Sequence, residues 1–193
     1  MTPQASGRRE RKKAATRTAL ADAASRLFLE RGYDGVTVAE VADEADMAVA
    51  TLFAHFPAGK EALIFDDGIE RRETLAAAIT ERPAGTSALD ALEAYLARRG
   101  AFDESPSPEG QQRRDLIIST PALRAHARSL WMGCESILTE LLAQESGRDP
   151  QDVSLRLLAR YVLELPDLIG ADHNSRKSLE TAFDHLRRGW PDL

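Results

Sequence analysis

Cysteine is nearly absent: Cys134 stands alone in 193 residues. A single thiol excludes an internal disulfide and any multi-thiolate metal cage. Long hydrophobic runs are missing as well, since none approaches the ~18–20 residues of a membrane span. Residues 1–13 are basic but lead into no apolar stretch, so a secretory signal is not expected and the default compartment is the cytoplasm. Aromatics are scarce at 6%, and no segment sustains the period-two alternation of a half-buried strand. The four histidines (His55, His126, His173, His185) have no metal-ligand spacing, and the chain contains no HExxH sequence, phosphate-cradling glycine loop or nucleophile–base motif. We therefore expect no catalytic residues, no metal and no cofactor. Asp66 and Asp67 read as a solvated pair on a helix face, and Cys134, spaced with Leu130 and Ile137, as a small core residue.

What is present is ordinary globular material, 43% hydrophobic and 29% charged, enough for one or two domains with a sizeable core. The net charge of −6 is unevenly spread. Residues 1–20 carry Arg8, Arg9, Arg11, Lys12, Lys13 and Arg17 against Glu10 alone, a net of +5. A basic arm on an acidic protein suits contact with a polyanion, although a solvated tail has the same composition.

Helical spacing dominates, so the expected class is all-α with about nine helices. The first reads from about Ala14 to Arg31, with Leu20, Ala24, Leu27 and Phe28 on one face and Gly32 as its C-cap. Thr37 caps the second, and Glu40 three residues on completes a capping box. A third short helix carries Val49, Leu52 and Phe53 before Pro57-Ala58-Gly59 breaks the chain. A long helix is predicted from Lys60 to about Glu81, the next after Thr86 or Ser87, and a short one over Gln111 to Ile118. One longer helix should then run from Pro121 to Gly147, followed by helices from Asp149-Pro150 to about Ile169 and from Ser175 to Arg188. Pro166 should kink or end the former.

Residues 37–56 hold two helices of about two turns each, joined tightly and apolar on one side. Neither is stable alone in water, so Val41, Ala45, Val49, Leu52 and Phe56 must be held by packing on the first helix. That is a helix-turn-helix arrangement, whose second helix can enter a major groove about 12 Å wide.

The segments Phe28-Leu29-Glu30-Arg31-Gly32-Tyr33, Thr37-Val38-Ala39-Glu40-Val41-Ala42, Thr51-Leu52-Phe53-Ala54-His55-Phe56-Pro57 and Lys60-Glu61-Ala62-Leu63 fall in order, and here the sequence resembles the TetR family of transcriptional regulators. The resemblance implies a flexible basic arm over 1–13, a helix-turn-helix DNA-binding domain over 14–60 and a ligand-binding and dimerisation domain over 61–193. It implies double-stranded DNA as partner, with Thr37 and Lys60 at phosphates, Ala48, Val49, Ala50 and Thr51 facing base edges, and Phe53 and His55 close to the backbone. Arg17 and the arm would reach phosphates or the minor groove. Three positions depart from the family pattern: Asp46 replaces a turn glycine, Phe53 a tyrosine and Ala48 a capping serine. Asp46 then needs positive φ, at a strain of ~1 kcal/mol or less, and the missing cap costs roughly 1 kcal/mol. No residue of the recognition helix makes a bidentate base contact, so specificity would fall to methyl contacts, Thr51, the arm and DNA shape.

Further along, Leu155, Leu158, Val162, Leu165 and Ile169 form one helical stripe, and Leu157, Tyr161 and Leu168 a second. Two apolar faces need two apolar neighbours. With Leu179, Phe183, Leu186 and Trp190 of the last helix, Leu155, Val162, Leu165 and Ile169 can build a symmetric homodimer interface. Packing within one subunit is the alternative. The family also implies a ligand pocket, for which Leu96, Leu116, Trp131, Cys134, Glu135, Leu158 and Tyr161 are the candidates; their aliphatic bias points to a largely apolar small molecule. The function implied is a dimeric repressor on palindromic DNA, released by that ligand. A protein-interaction module, or a small-molecule-binding protein without specific DNA binding, stays open as the alternative. A helical enzyme lacks its catalytic constellation.

Overall fold

The computed structural model describes residues 3–65 and 68–189, and within it no strand occurs. Ten α-helices follow one another: α1 (Pro3–Arg31), α2 (Val38–Glu44), α3 (Val49–His55), α4 (Ile69–Thr80), α5 (Ala88–Leu96), α6 (Pro108–Ser119), α7 (Pro121–Met132), α8 (Glu135–Ser146), α9 (Val153–Ile169) and α10 (Ser175–Arg188). Short 3₁₀ turns cover Glu61–Leu63 and Gly100–Phe102. Asp66, Asp67 and Trp190, singled out above, lie outside the described residues.

Two hydrophobic cores organise these helices. The first gathers Leu20, Ala24 and Phe28 of α1, Val41 of α2, Leu52 and Phe56 from α3 and its cap, and Leu63, Ile64 and Phe65. The second joins α4, α5 and α8–α10 around Leu75, Leu92, Leu138, Val162 and Phe183. Leu123 of α7 is fully buried yet belongs to the first core, and Leu116 and Ile117 of α6 pack beside it. Helices α6 and α7 therefore wedge the helix-turn-helix unit against the remainder of the chain.

Four expectations change. The first helix begins at Pro3 rather than near Ala14, so the described part of the basic arm is helical. The long helix from Lys60 does not form. After the 3₁₀ turn the chain passes through Gly68 at φ +77, a conformation no right-handed helix contains. The single helix over 121–147 is two. At the junction Cys134 N–H bonds Trp131 O at 2.9 Å, a tighter closure next to Gly133, the weakest helix former after proline. Of the two outcomes expected at Pro166, a kink or an end, the end does not occur, since α9 continues to Ile169. Arg128 binds Glu164 at 2.7 Å and Arg124 binds Asp167 at 3.0 Å, so α7 braces both sides of the lost backbone bond.

Candidate functional site

The helix-turn-helix unit is built locally. Thr37 Oγ1 accepts from Glu40 N at 3.2 Å while Glu40 Oε2 accepts from Thr37 N at 2.7 Å, the capping box foreseen in the sequence. The box is completed within itself, because the Thr37 hydroxyl also donates to Glu40 Oε2. Arg31 of α1 donates to the other carboxylate oxygen. These bonds, the Arg31 guanidinium first and the Thr37 groups after it, pull the Glu40 carboxyl down to about 2. A depressed carboxyl stabilises the fold above its unfolded value, near 4.5, and loses that contribution as pH falls towards 2. We expect a carbon-13 titration of Glu40 to show its midpoint near 2, and the stability gap between wild type and Glu40→Gln to close across that window. A gap independent of pH would refute the assignment.

The turn itself is a Schellman closure. Met47 N–H bonds Ala42 O at 2.8 Å and Asp46 N–H bonds Asp43 O at 2.9 Å, with Asp46 in the left-handed region at φ 52. Such a position suits glycine, which has no Cβ to strain. Asp46→Gly should raise stability by up to about 1 kcal/mol in urea denaturation, because strain relief exceeds the added unfolded-state entropy. Ala48 caps α3 with no side-chain bond, as its identity requires.

Helix α3 divides cleanly. Leu52 and Phe56 are buried, whereas Ala48, Val49, Ala50, Phe53 and Ala54 are exposed and Thr51 is half-exposed. Val49 and Phe53, one turn apart, are among the few large apolar side chains on the surface, at 38% and 46% exposure. Of three residues expected at DNA, two bond within the unit and the third has a buried ring nitrogen. Arg17 donates to His55 O and lies 4.4 Å over the Phe56 ring, tying α1 to the end of α3. His55 Nδ1 is buried with no hydrogen-bond partner. Lys60 donates to Tyr33 O and lies 3.9 Å over that ring, and burial pushes its pKa down. Exposed cations nearby come from Arg8, Arg9, Arg11, Lys12 and Lys13. They lie on the part of α1 that extends beyond its Arg17 contact with α3.

A cavity of about 1160 Å³ opens between α4, α5, α6 and α7 and reaches Pro166 of α9. Of the expected lining, Leu96 and Trp131 face it. The other five do not. Leu116 packs into the first core, Leu158 and Cys134 into the second, Glu135 pairs with Arg160 at 3.7 Å, and Tyr161 borders a shallow groove beside α10. Missed by the sequence reading were Arg71 and Thr74 on α4 and Arg99 beyond α5. The run Glu70-Arg71-Arg72 looks like a solvated helix face, and only the packing of α4 against α5 turns Arg71 inward.

The α9 stripes also exchange roles. Leu155, Val162, Leu165, Leu179 and Phe183, expected at a subunit interface, are consumed by the second core, with Ile169 and Leu186 partly buried against it. The outer stripe is the exposed one: Val153, Leu157 and Leu168 stand open, the two leucines at 63% each.

Residues 20–66 match the family model described as bacterial regulatory proteins, tetR family. Residues 86–166 match that of the MftR C-terminal domain. The HTH-type transcriptional regulator TcmR of Streptomyces glaucescens is 31% identical over 157 residues, covering 78% of this chain and 69% of that protein. The chain belongs to the TetR family. A further TetR-type relative, the transcriptional regulator MftR of Mycobacterium tuberculosis, is 28% identical over 153 residues, 79% of this chain and 77% of that one. Among solved structures, NalD of Pseudomonas aeruginosa, described as the secondary repressor of the MexAB-OprM multidrug efflux pump, superposes with a TM-score of 0.55 at 18% identity. It covers 93% of this chain and 97% of its own, a likeness of fold. Within this TetR-family regulator α3 is the second helix of the helix-turn-helix, and its outer face is exposed. No helix among the described residues is long and apolar enough to cross a membrane.

Proposed function

We propose that this chain acts in the cytoplasm as a homodimeric repressor, placing the two α3 helices of the dimer in successive major grooves of a palindromic operator and leaving the DNA when a small molecule fills the cavity. The observation that carries the reading is the split of α3. Its inner residues are locked into the first core, and its outer residues are exposed among the described residues. The outer face offers methyl groups and one hydroxyl, which suits contact with thymine methyls, and the cations of α1 supply a sequence-independent phosphate contact. Two such helices read half-sites ~34–36 Å apart. The outer stripe of α9, Val153, Leu157, Tyr161 and Leu168, supplies the apolar face that a symmetric partner would cover.

Release requires the cavity to act on α3. Arg113 lines the cavity and donates to Ile64 O, and its guanidinium lies 5.9 Å from the Phe65 ring. Phe65 in turn stacks on His126 of α7 at 5.5 Å. Ile64 and Phe65 belong to the core that holds α3, so a ligand that displaces Arg113 disturbs the seat of the recognition helix. Reversing a 99:1 population takes about 5.5 kcal/mol of differential affinity. One hydrogen bond contributes about 0.5–1.5 kcal/mol, so the Arg113 and Phe65 contacts must rearrange together with the packing of α6 and α7.

The test is a gel shift with DNA from the region upstream of this protein's own reading frame, run from low to physiological salt. A fragment retained against excess competitor DNA supports the reading. No shift above the non-specific background at low salt overturns it and favours a protein-interaction role for α3.

A further inference from the structure

We infer that the cavity takes an organic acid rather than a purely apolar molecule, with its anionic group at Arg71 and Arg99 and its apolar body against Trp131, Leu96 and Phe102. This rests on the ligand-responsive reading above and names the chemistry of the ligand.

Among the described residues eight arginines line the cavity against five carboxylates, and several of those cations are already answered. Arg82 pairs with Glu145, Arg124 with Asp167 and Arg128 with Glu164. Arg71 is different. Its Nε and Nη1 are buried with no hydrogen-bond partner, and its guanidinium lies 4.8 Å from the Trp131 ring centroid. A buried donor left unpaired is costly, and a charged one more so. Arg99 stands on the same wall, 4.5 Å over the Tyr95 ring, donating to Thr74 Oγ1 at 2.8 Å. It has no carboxylate partner among the described residues. Thr74 Oγ1 lies 3.1 Å from Tyr95 Oη, and Tyr95 meets Trp131 edge-on at 6.3 Å. Two cations are thus fixed on aromatic faces and a hydroxyl pair, with spare donors on Arg71 and no carboxylate paired to either among the described residues. Leu96, Phe102 and Trp131 supply apolar wall beside them. That arrangement selects a ligand with one acidic head and a flat or aliphatic body: the guanidinium donors answer the head, and the aromatic wall removes the body from water.

The test compares two dyes sharing one aromatic frame, the anion 8-anilinonaphthalene-1-sulfonate and the neutral N-phenyl-1-naphthylamine. Both are titrated into the full chain at fixed ionic strength, with energy transfer from indole as the signal. We expect the anion to bind at least about tenfold more tightly, the discrimination one charge-assisted hydrogen bond supplies. The preference should shrink to about threefold or less in Arg71→Gln, where that bond is removed, and the transfer should drop in Trp131→Phe. Arg99→Gln serves as a second probe should Arg71→Gln fail to fold, with the same loss expected. Equal affinity for the two dyes, a preference unchanged by both arginine substitutions, or transfer undiminished in Trp131→Phe would overturn the inference. The gel shift without dye judges the regulator reading separately. An anion preference without DNA binding keeps the site and removes the repressor, and DNA binding without the preference does the reverse.

Discussion

Replacing Leu157 and Leu168 together with glutamate should leave each subunit folded, hold it as a monomer and lower operator affinity by at least about a hundredfold. The factor is what linkage of two weak sites contributes through effective concentration, ~10²–10⁴. Both leucines are 63% exposed within the subunit, so charging them costs little in the isolated chain. In a symmetric dimer the same two positions would bring four carboxylates into an apolar contact. Sedimentation velocity and a gel shift on one palindromic fragment check the two halves. A double variant that still sediments as a dimer places the interface elsewhere. The stripe on the other side of α9 behaves differently, because Leu155, Val162 and Leu165 are already buried in the second core; charge there unfolds the subunit instead of dissociating it.

The second large effect is at α3. Ala50→Glu should reduce binding to every DNA fragment by at least about a hundredfold, since a carboxylate facing phosphates and base edges costs several kcal/mol in like-charge repulsion and desolvation. Folding should be spared. Ala50 is exposed and lies in the first turn of α3, where a negative side chain favours the helix dipole by about 0.3–1 kcal/mol. A thermal melt at or above that of wild type, beside a lost gel shift, separates recognition from stability. Normal DNA binding by this variant would mean that α3 is not the reading surface.

The N-terminal third was legible because its signals are local. A capping box needs only Thr37 and Glu40 three residues apart, and the positive φ at Asp46 was implied by the family resemblance, at the position of its turn glycine. The last helix runs from Ser175 to Arg188 as expected, and the structure shows Asn174 capping its start. The segment after Lys60 failed because helical periodicity persists in Leu63, Ile64, Leu75 and Ile79 across a break. Periodicity reports which residues are apolar, not whether the backbone between them is continuous. The split at Gly133-Cys134 is of the same kind, since Cys134 keeps its helical spacing while turning into the second core.

Composition and spacing thus carried the all-helical class and the helix-turn-helix, since short-range hydrogen bonding and side-chain periodicity are properties of neighbours along the chain. The outward face came from the family resemblance, and spacing alone placed Val49 inside, where the structure leaves it 38% exposed. Which of two apolar stripes on α9 is spent internally was settled by the packing of α8 and α10. The charge of the cavity, with Arg71 and Arg99 turned inward and their counterparts Arg82, Arg124 and Arg128 paired away, depends on residues up to 63 positions apart. Electrostatic neighbours at that separation are chosen by how helices stack in three dimensions, and no local pattern encodes them.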